Sequence, residues 1–310
     1  MLIFIFLLTA IFIFVIFLYM LYRFTFCHPM SKRPIANQIP ATQLYNTHKS
    51  KMLKVVHAMD NTPYELIEIK SYDKHRLFGR LYNQSDKKKP LFIFFHGYHG
   101  VSAWDGYGFF KLCMEHDFPI LMPDIRAHGT SEGSIAFGIK ERHDCKQWVD
   151  YALQKFGTDT DIILAGVSMG AVSALLSIEL NLPTNVKAII SDCAFSDSAG
   201  MIKCILLQMK LPTALFYKLI RLSAKLFGKF NLEESSATNA VQNMSVPVLF
   251  IHGIEDSVVP LHMCEMLYEK CTSPKSKYLM EGADHANCAM TDYETYHNVI
   301  MNFLKTVLPL

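Results

Sequence analysis

Asp161-Ile162-Ile163-Leu164-Ala165-Gly166-Val167-Ser168-Met169-Gly170-Ala171-Val172-Ser173-Ala174-Leu175-Leu176-Ser177-Ile178 is the stretch on which the fold turns. Its first five residues form an apolar run that reads as a buried strand. The last eight read as a helix, and Gly166–Gly170 between them has the form G-x-S-x-G. A strand that turns sharply into a helix brings backbone segments close together, and the small residues flanking Ser168 permit that approach. The turn sets the Ser168 hydroxyl at a helix N-terminus, where amides and the macrodipole favour a developing negative charge.

A serine hydroxyl at neutral pH needs a base, and the base needs a carboxylate to hold its tautomer. Downstream, the apolar run 246–251 reads as a strand and is followed by His252-Gly253-Ile254-Glu255-Asp256. A short last strand at 277–280 is followed by Glu281-Gly282-Ala283-Asp284-His285. Asp256 and His285 thus fall on loops just past strands, where open α/β sheets bind ligands. Glu255 reads as a solvated loop charge. Asp284 is adjacent to His285, and sequence neighbours seldom point at each other. The expected set is Ser168, Asp256 and His285, in that order. The oxyanion donors are expected to be the backbone N–H of Met169, after the serine, and that of Tyr98, in the His96-Gly97-Tyr98-His99-Gly100 loop following the strand 91–95. His96 and His99 read as structural.

Together these pieces, with the segment 124–133, resemble the α/β-hydrolase superfamily over nearly all of residues 65–305. Within it they are similar to single-domain, membrane-anchored serine hydrolases and to the serine aminopeptidase-like or lysophospholipase-like group. The resemblance implies a mostly parallel sheet flanked by helices. It also implies hydrolysis of an ester, thioester or amide through an acyl-serine, with no metal and no cofactor. It assigns segment 124–133 a structural role beside the site and leaves the substrate open.

The chain has 310 residues and a formal net charge of +2, so bulk electrostatics do not point to nucleic acid. Its 8 cysteines are scattered without zinc-like spacing and read as small apolar residues or free thiols, which favours a reducing compartment. Residues 1–22 are apolar apart from Thr9 and carry no charged side chain. As a helix they would span roughly 30 Å, the thickness of a bilayer core, and no positive n-region or cleavage site of a secretory signal is evident. They are expected to form a single-pass anchor. Arg23, Lys32, Arg33, Lys49, Lys51 and Lys54 follow it, so the positive-inside rule places the catalytic domain in the cytoplasm.

Residues 23–63 read as a proline-bearing linker (Pro29, Pro34, Pro40) with a helix near 44–59. The domain proper is expected at 64–310. Strands at 65–70 and 76–82 form a hairpin, Lys87–Lys89 a solvated turn, and strands and helices then alternate in the rhythm of a parallel sheet. That rhythm breaks at about 196–240, where two helical segments near 199–211 and 212–230 are expected to form a lid over the serine. Lys218, Arg221, Lys225 and Lys229 share one face; Leu219, Leu222, Leu226 and Phe230 are spaced to share another, packed on the core. Either the basic face is simply solvated or it rests on anionic lipid headgroups.

The leading function is hydrolysis of a small-molecule or lipid ester with an apolar acyl group. Thioester or protein deacylation and small-peptide cleavage are the alternatives, the last using Glu132, Glu233 or Glu234 to hold a substrate amine. A non-catalytic scaffold would lack a triad member or an elbow glycine, and none is missing. The pattern carries no signal for oligomeric state.

Overall fold

The structure is a computed structural model that describes residues 1–27, 46–83 and 89–308. Pro29, Lys32, Arg33, Pro34, Pro40, Lys87 and Lys88, invoked above, lie outside the described residues. The strands are β1 (Tyr64–Lys70), β2 (Arg76–Tyr82), β3 (Leu91–Phe95), β4 (Ile120–Pro123), β5 (Ile162–Val167), β6 (Val186–Asp192), β7 (Val248–Gly253) and β8 (Lys275–Met280). They form one sheet of eight strands in the order β1-β2-β4-β3-β5-β6-β7-β8. β1 pairs antiparallel with β2, and β2 with β4; every later neighbour is parallel.

The helices are α1 (Leu2–Phe26), α2 (Lys49–Asn61), α3 (Ser102–Asp105), α4 (Tyr107–Glu115), α5 (Glu141–Phe156), α6 (Met169–Ser177), α7 (Ser198–Gln208), α8 (Thr213–Ser223), α9 (Ala237–Gln242), α10 (Leu261–Lys270), α11 (Cys288–Thr291) and α12 (Tyr293–Val307). A π-turn at Ala224–Gly228 extends α8.

The central strands are apolar on both faces because helices cover both. Successive residues alternate between two cores, as a period of two requires. Leu91, Ile93 and Phe95 join Leu164 and Phe250 beneath α5, α6 and α10, where Trp148, Val172 and Leu267 are buried. Phe92, Phe94, Ile163, Ala165 and Ile251 face the other way, onto Phe109, Tyr296 and Ile300 of α4 and α12.

One expectation about the N-terminal region is corrected. The first helix does not stop at residue 22 but runs to Phe26, and its last turns bury Leu18, Tyr22 and Phe26 against the domain. In the segment before residue 63, the helix expected near 44–59 is present as α2. α2 buries Met52, Val56 and Met59 in the second core, and Lys51 Nζ donates to the Met290 carbonyl at 3.2 Å. With 25 residues, α1 is long and apolar enough to cross a membrane, by length and composition.

Candidate active site

Strand order reverses around β3 and β5, and the crevice beyond their carboxyl ends is where such sheets bind ligands. The elbow sits there. β3 and β5 pair so that Phe95 lies opposite Gly166. The chain then turns through Ser168, whose φ of 53° and ψ of −119° are unusual for a residue with a side chain, and enters α6 at once. Two glycines make the turn possible. A Cβ on Gly170 would lie 2.0 Å from the Phe95 carbonyl oxygen, and one on Gly166 would lie 2.5 Å from the Ala171 nitrogen. Neither position can hold a side chain without moving the backbone. The Ser168 N–H donates to the Asp192 carbonyl at 2.8 Å, which ties the elbow to the end of β6.

The structure brings Ser168, His285 and Asp256 together from three different loops. His285 Nδ1 lies 2.8 Å from Asp256 Oδ2, and His285 Nε2 lies 3.0 Å from Ser168 Oγ. An ionised carboxylate only accepts, so Nδ1 carries the proton and Nε2 is left to accept from the serine hydroxyl. Asp256 is fixed in turn. Its Oδ1 accepts the Val258 and Val259 N–H groups at 2.9 and 2.7 Å, and its side chain is fully buried. Ser168 and His285 are only 8% and 9% exposed, so little water competes for these bonds. Burial alone would lower the His285 pKa. The bond to Asp256 and the charges of Asp256, Asp105 and Asp192 outweigh it, and the pKa is raised. Asp284 does not approach the imidazole nitrogens. Its Oδ1 accepts from the Ser257 N–H and hydroxyl and from the His285 backbone N–H, which pins the two loops together.

Tyr98 sits in a loop held on both sides. The Gly97 N–H donates to Asp105 Oδ2 at 2.6 Å, and the His99 N–H donates to His128 Nε2 at 3.0 Å. Met169 is the first residue of α6, so the helical ladder leaves its N–H without an internal acceptor. His96 is structural: Nδ1 donates to the Gly97 carbonyl at 2.9 Å and Nε2 accepts the Ile125 N–H at 3.0 Å. Complete burial holds its pKa down at about 4 and keeps the ring neutral. In segment 124–133, buried Arg126 forms a two-bond pair with Asp144 (2.6 and 2.7 Å) and also bonds Asp73, which is architecture and not chemistry.

Sequence reasoning missed two carboxylates near the serine. Asp105 lies behind the Tyr98 loop, with its carboxyl raised to about 6 by burial. Asp192 ends β6, with its carboxyl raised to about 7, again by burial. It accepts from the Tyr296 hydroxyl at 3.0 Å through Oδ2, and Oδ1 has no partner among the described residues. Asp192 was legible in principle as a carboxylate at the buried end of a strand with the apolar run 188–190; Asp105 gave no comparable signal. The carboxylates considered for binding a substrate amine are engaged elsewhere. Glu132 pairs with Arg76, Glu233 with Tyr217 and Arg221, and Glu234 with Arg142.

Cys193, Asp256 and His285 offer donor atoms within 4.8 Å of one another. The set is a poor metal site. Asp256 and His285 are bonded to each other, and burial pushes the Cys193 thiol well above its ordinary pKa, which opposes the thiolate a metal needs.

Residues 90–226 match the family described as the alpha/beta hydrolase fold. Among curated proteins, the uncharacterised YqkD of Bacillus subtilis is 29% identical over 213 residues, covering 67% of this chain and 70% of its own length. The esterase YjfP of Escherichia coli is 27% identical over 202 residues, covering 57% of this chain and 72% of its own. Among solved structures, an esterase of Pyrococcus furiosus superposes with a TM-score of 0.63 at 22% identity, over 79% of this chain and 93% of its own. Strand order, elbow and relatives agree, and the chain has the α/β-hydrolase fold.

Proposed function

We propose that this chain is a serine carboxylic ester hydrolase acting through an acyl-serine intermediate. The observation that carries the reading is the continuous path from Asp256 through His285 to Ser168, with bonds of 2.8 and 3.0 Å. Ser168 Oγ attacks the ester carbonyl while His285 Nε2 takes its proton, and Asp256 stabilises the imidazolium. The Tyr98 and Met169 N–H groups hold the oxyanion, at the positive end of α6. His285 then protonates the departing alkoxide. Water, deprotonated by the same imidazole, attacks the acyl-serine and releases the acid. The esterase relatives support this reaction class.

The acyl group is proposed to be apolar, because the helical insertion at about 196–240 is rich in Leu, Ile, Met and Phe and reaches the rim of the site. Gln208 Nε2 donates to the Ser257 carbonyl at 3.0 Å, one residue from Asp256. α1 is proposed to anchor the domain, residues 64–310, at a membrane with the domain in the cytoplasm; digestion of the domain by protease added outside intact cells would reverse that orientation.

A p-nitrophenyl ester series from acetyl to palmitoyl, run beside a thioester and a peptide p-nitroanilide, tests the function. The proposal predicts that esters turn over and that kcat/KM rises with chain length. Turnover of the anilide with inert esters would replace the assignment by a peptidase, and preference for the thioester would replace it by a thioesterase.

A further inference from the structure

α8 and its π-turn bury small residues along part of their inward face and leave three leucines exposed. The face turned inward is made of Tyr217, Ile220, Ser223, Ala224 and Gly228. Against it lies the end of α1, with Tyr19 and Tyr22 ring centroids 5.3 and 5.9 Å from that of Phe227 and Phe26 at 5.3 Å from Phe230. A Cβ on Gly228 would sit 2.5 Å from a Phe230 ring carbon and 2.9 Å from a Tyr22 ring carbon, so the small residue makes room for both rings where the two segments meet. Small residues at a helix contact with leucines turned out is how helices pack within a bilayer. The leucines are turned out here: Leu215, Leu222 and Leu226 are all exposed, Leu226 at 53%.

Between those leucines stand cations. Lys218, Arg221, Lys225 and Lys229 are exposed and line a cavity of about 720 Å³. Lys229 also lines a neighbouring cavity of about 580 Å³ with Arg23 and Lys140, where α1 meets the domain. Arg221 is paired with Glu233, whereas Lys218, Lys225, Lys229 and Arg23 have no ion pair among the described residues. The basic surface is therefore continuous with the end of the apolar helix. About twenty residues of α1 fill a bilayer core, so its last turns, and whatever packs on them, stand at the headgroup level.

From this we infer that α8 and its π-turn form an interfacial binding surface for an anionic bilayer. Leu222 and Leu226 enter the acyl boundary, while Lys218, Lys225 and Lys229 hold lipid phosphates and carboxylates. The inference rests on the proposed anchor and adds to it a second contact that selects lipid charge. It turns the helical insertion toward the bilayer, with α7 continuing from that surface to the rim of the site at Ser257.

The test uses the full chain in vesicles of phosphatidylcholine, with and without phosphatidylserine, each containing brominated phosphatidylcholine. The chain's 2 tryptophans, Trp104 and Trp148, are buried, so a Leu226→Trp probe reports its own surroundings, and Leu222→Trp serves as the second variant. With phosphatidylserine present, the probe emission should shift to the blue and be lost to the bromolipid. Both effects should disappear in neutral vesicles and on combining the probe with K218Q, K225Q and K229Q. A chain that sediments with both kinds of vesicle while both probes stay unquenched overturns the inference and leaves the anchor standing. Quenching that ignores phosphatidylserine and the lysine substitutions overturns the charge selection. A chain that stays out of the vesicles altogether overturns the anchor and this surface together.

Discussion

The carboxyl ends of the central strands and the helical insertion between β6 and β7 follow opposite rules. At the strand ends Ser168, His285 and Asp256 are joined by short bonds, and the backbone is held so tightly that two glycines cannot carry a methyl group. Along α8 and its π-turn, Leu215, Leu222, Leu226 and the lysines point outward, while Ser223, Ala224 and Gly228 face inward beside Tyr217 and Ile220. The first region is organised around one reaction geometry, which tolerates displacements of well under an ångström. The second is organised around a neighbouring helix and an exposed surface, which tolerate much more. Substitutions should divide accordingly, with effects on chemistry confined to the first region and effects on surface behaviour to the second.

The largest expected effect is at Asp256. Asp256→Asn should lower kcat by roughly three to four orders of magnitude, since the amide no longer holds the Nδ1–H tautomer and no longer stabilises the imidazolium. Steady-state kinetics on a soluble ester check it; a loss below tenfold would break the contrast at its strongest point. Next is Gly170→Ala. The clash with the Phe95 carbonyl should cost more than about 3 kcal/mol, in the tail of the distribution for single substitutions. Denaturant unfolding measures it, and an unchanged midpoint would mean the elbow has more room than its contacts imply.

Asp192→Asn sharpens the comparison at finer scale. The raised His285 pKa moves the acid limb of kcat/KM upward from the ordinary imidazole value, because the ring must be neutral to accept the serine proton. The Asp192 charge is one of the causes of that rise, so removing it should move the limb to lower pH with only a fewfold change at the plateau. A limb that stays in place would leave Asp192 a structural role only. The smallest effect is at Leu226. Leu226→Asn should change stability in detergent by less than about 0.5 kcal/mol, as for other exposed positions. A clear drop in Tm would mean this leucine packs on the domain after all.

The same division governs what the sequence discloses. The convergence of Ser168, Asp256 and His285 was legible because a strand end fixes where a loop residue must stand, and strands are signalled by short apolar runs bounded by turn residues. The mostly parallel sheet follows from the alternation with helices, and the hairpin from its period of two. The orientation of α8 was not legible. Leu219, Leu222, Leu226 and Phe230 were expected to pack on the core, yet Phe230 alone is buried, Leu219 is half-buried and the other two are exposed. Hydrophobicity favours the leucine stripe, but the face that is turned inward beside α1 carries Tyr217, Ile220, Ser223, Ala224 and Gly228. The partner that decides the question lies roughly two hundred residues away in sequence. Asp105 was hidden for a related reason: its role depends on a loop contact with Gly97 that no periodicity announces.

The central claim is that Ser168 is the acyl-accepting nucleophile. Labelling with a fluorophosphonate, followed by mapping of the modified peptide, tests it most directly. The wild-type chain should carry the label on Ser168, and Ser168→Ala, folded as judged by circular dichroism, should carry none. Undiminished labelling of Ser168→Ala, or a folded wild-type chain that takes up no label, would contradict it.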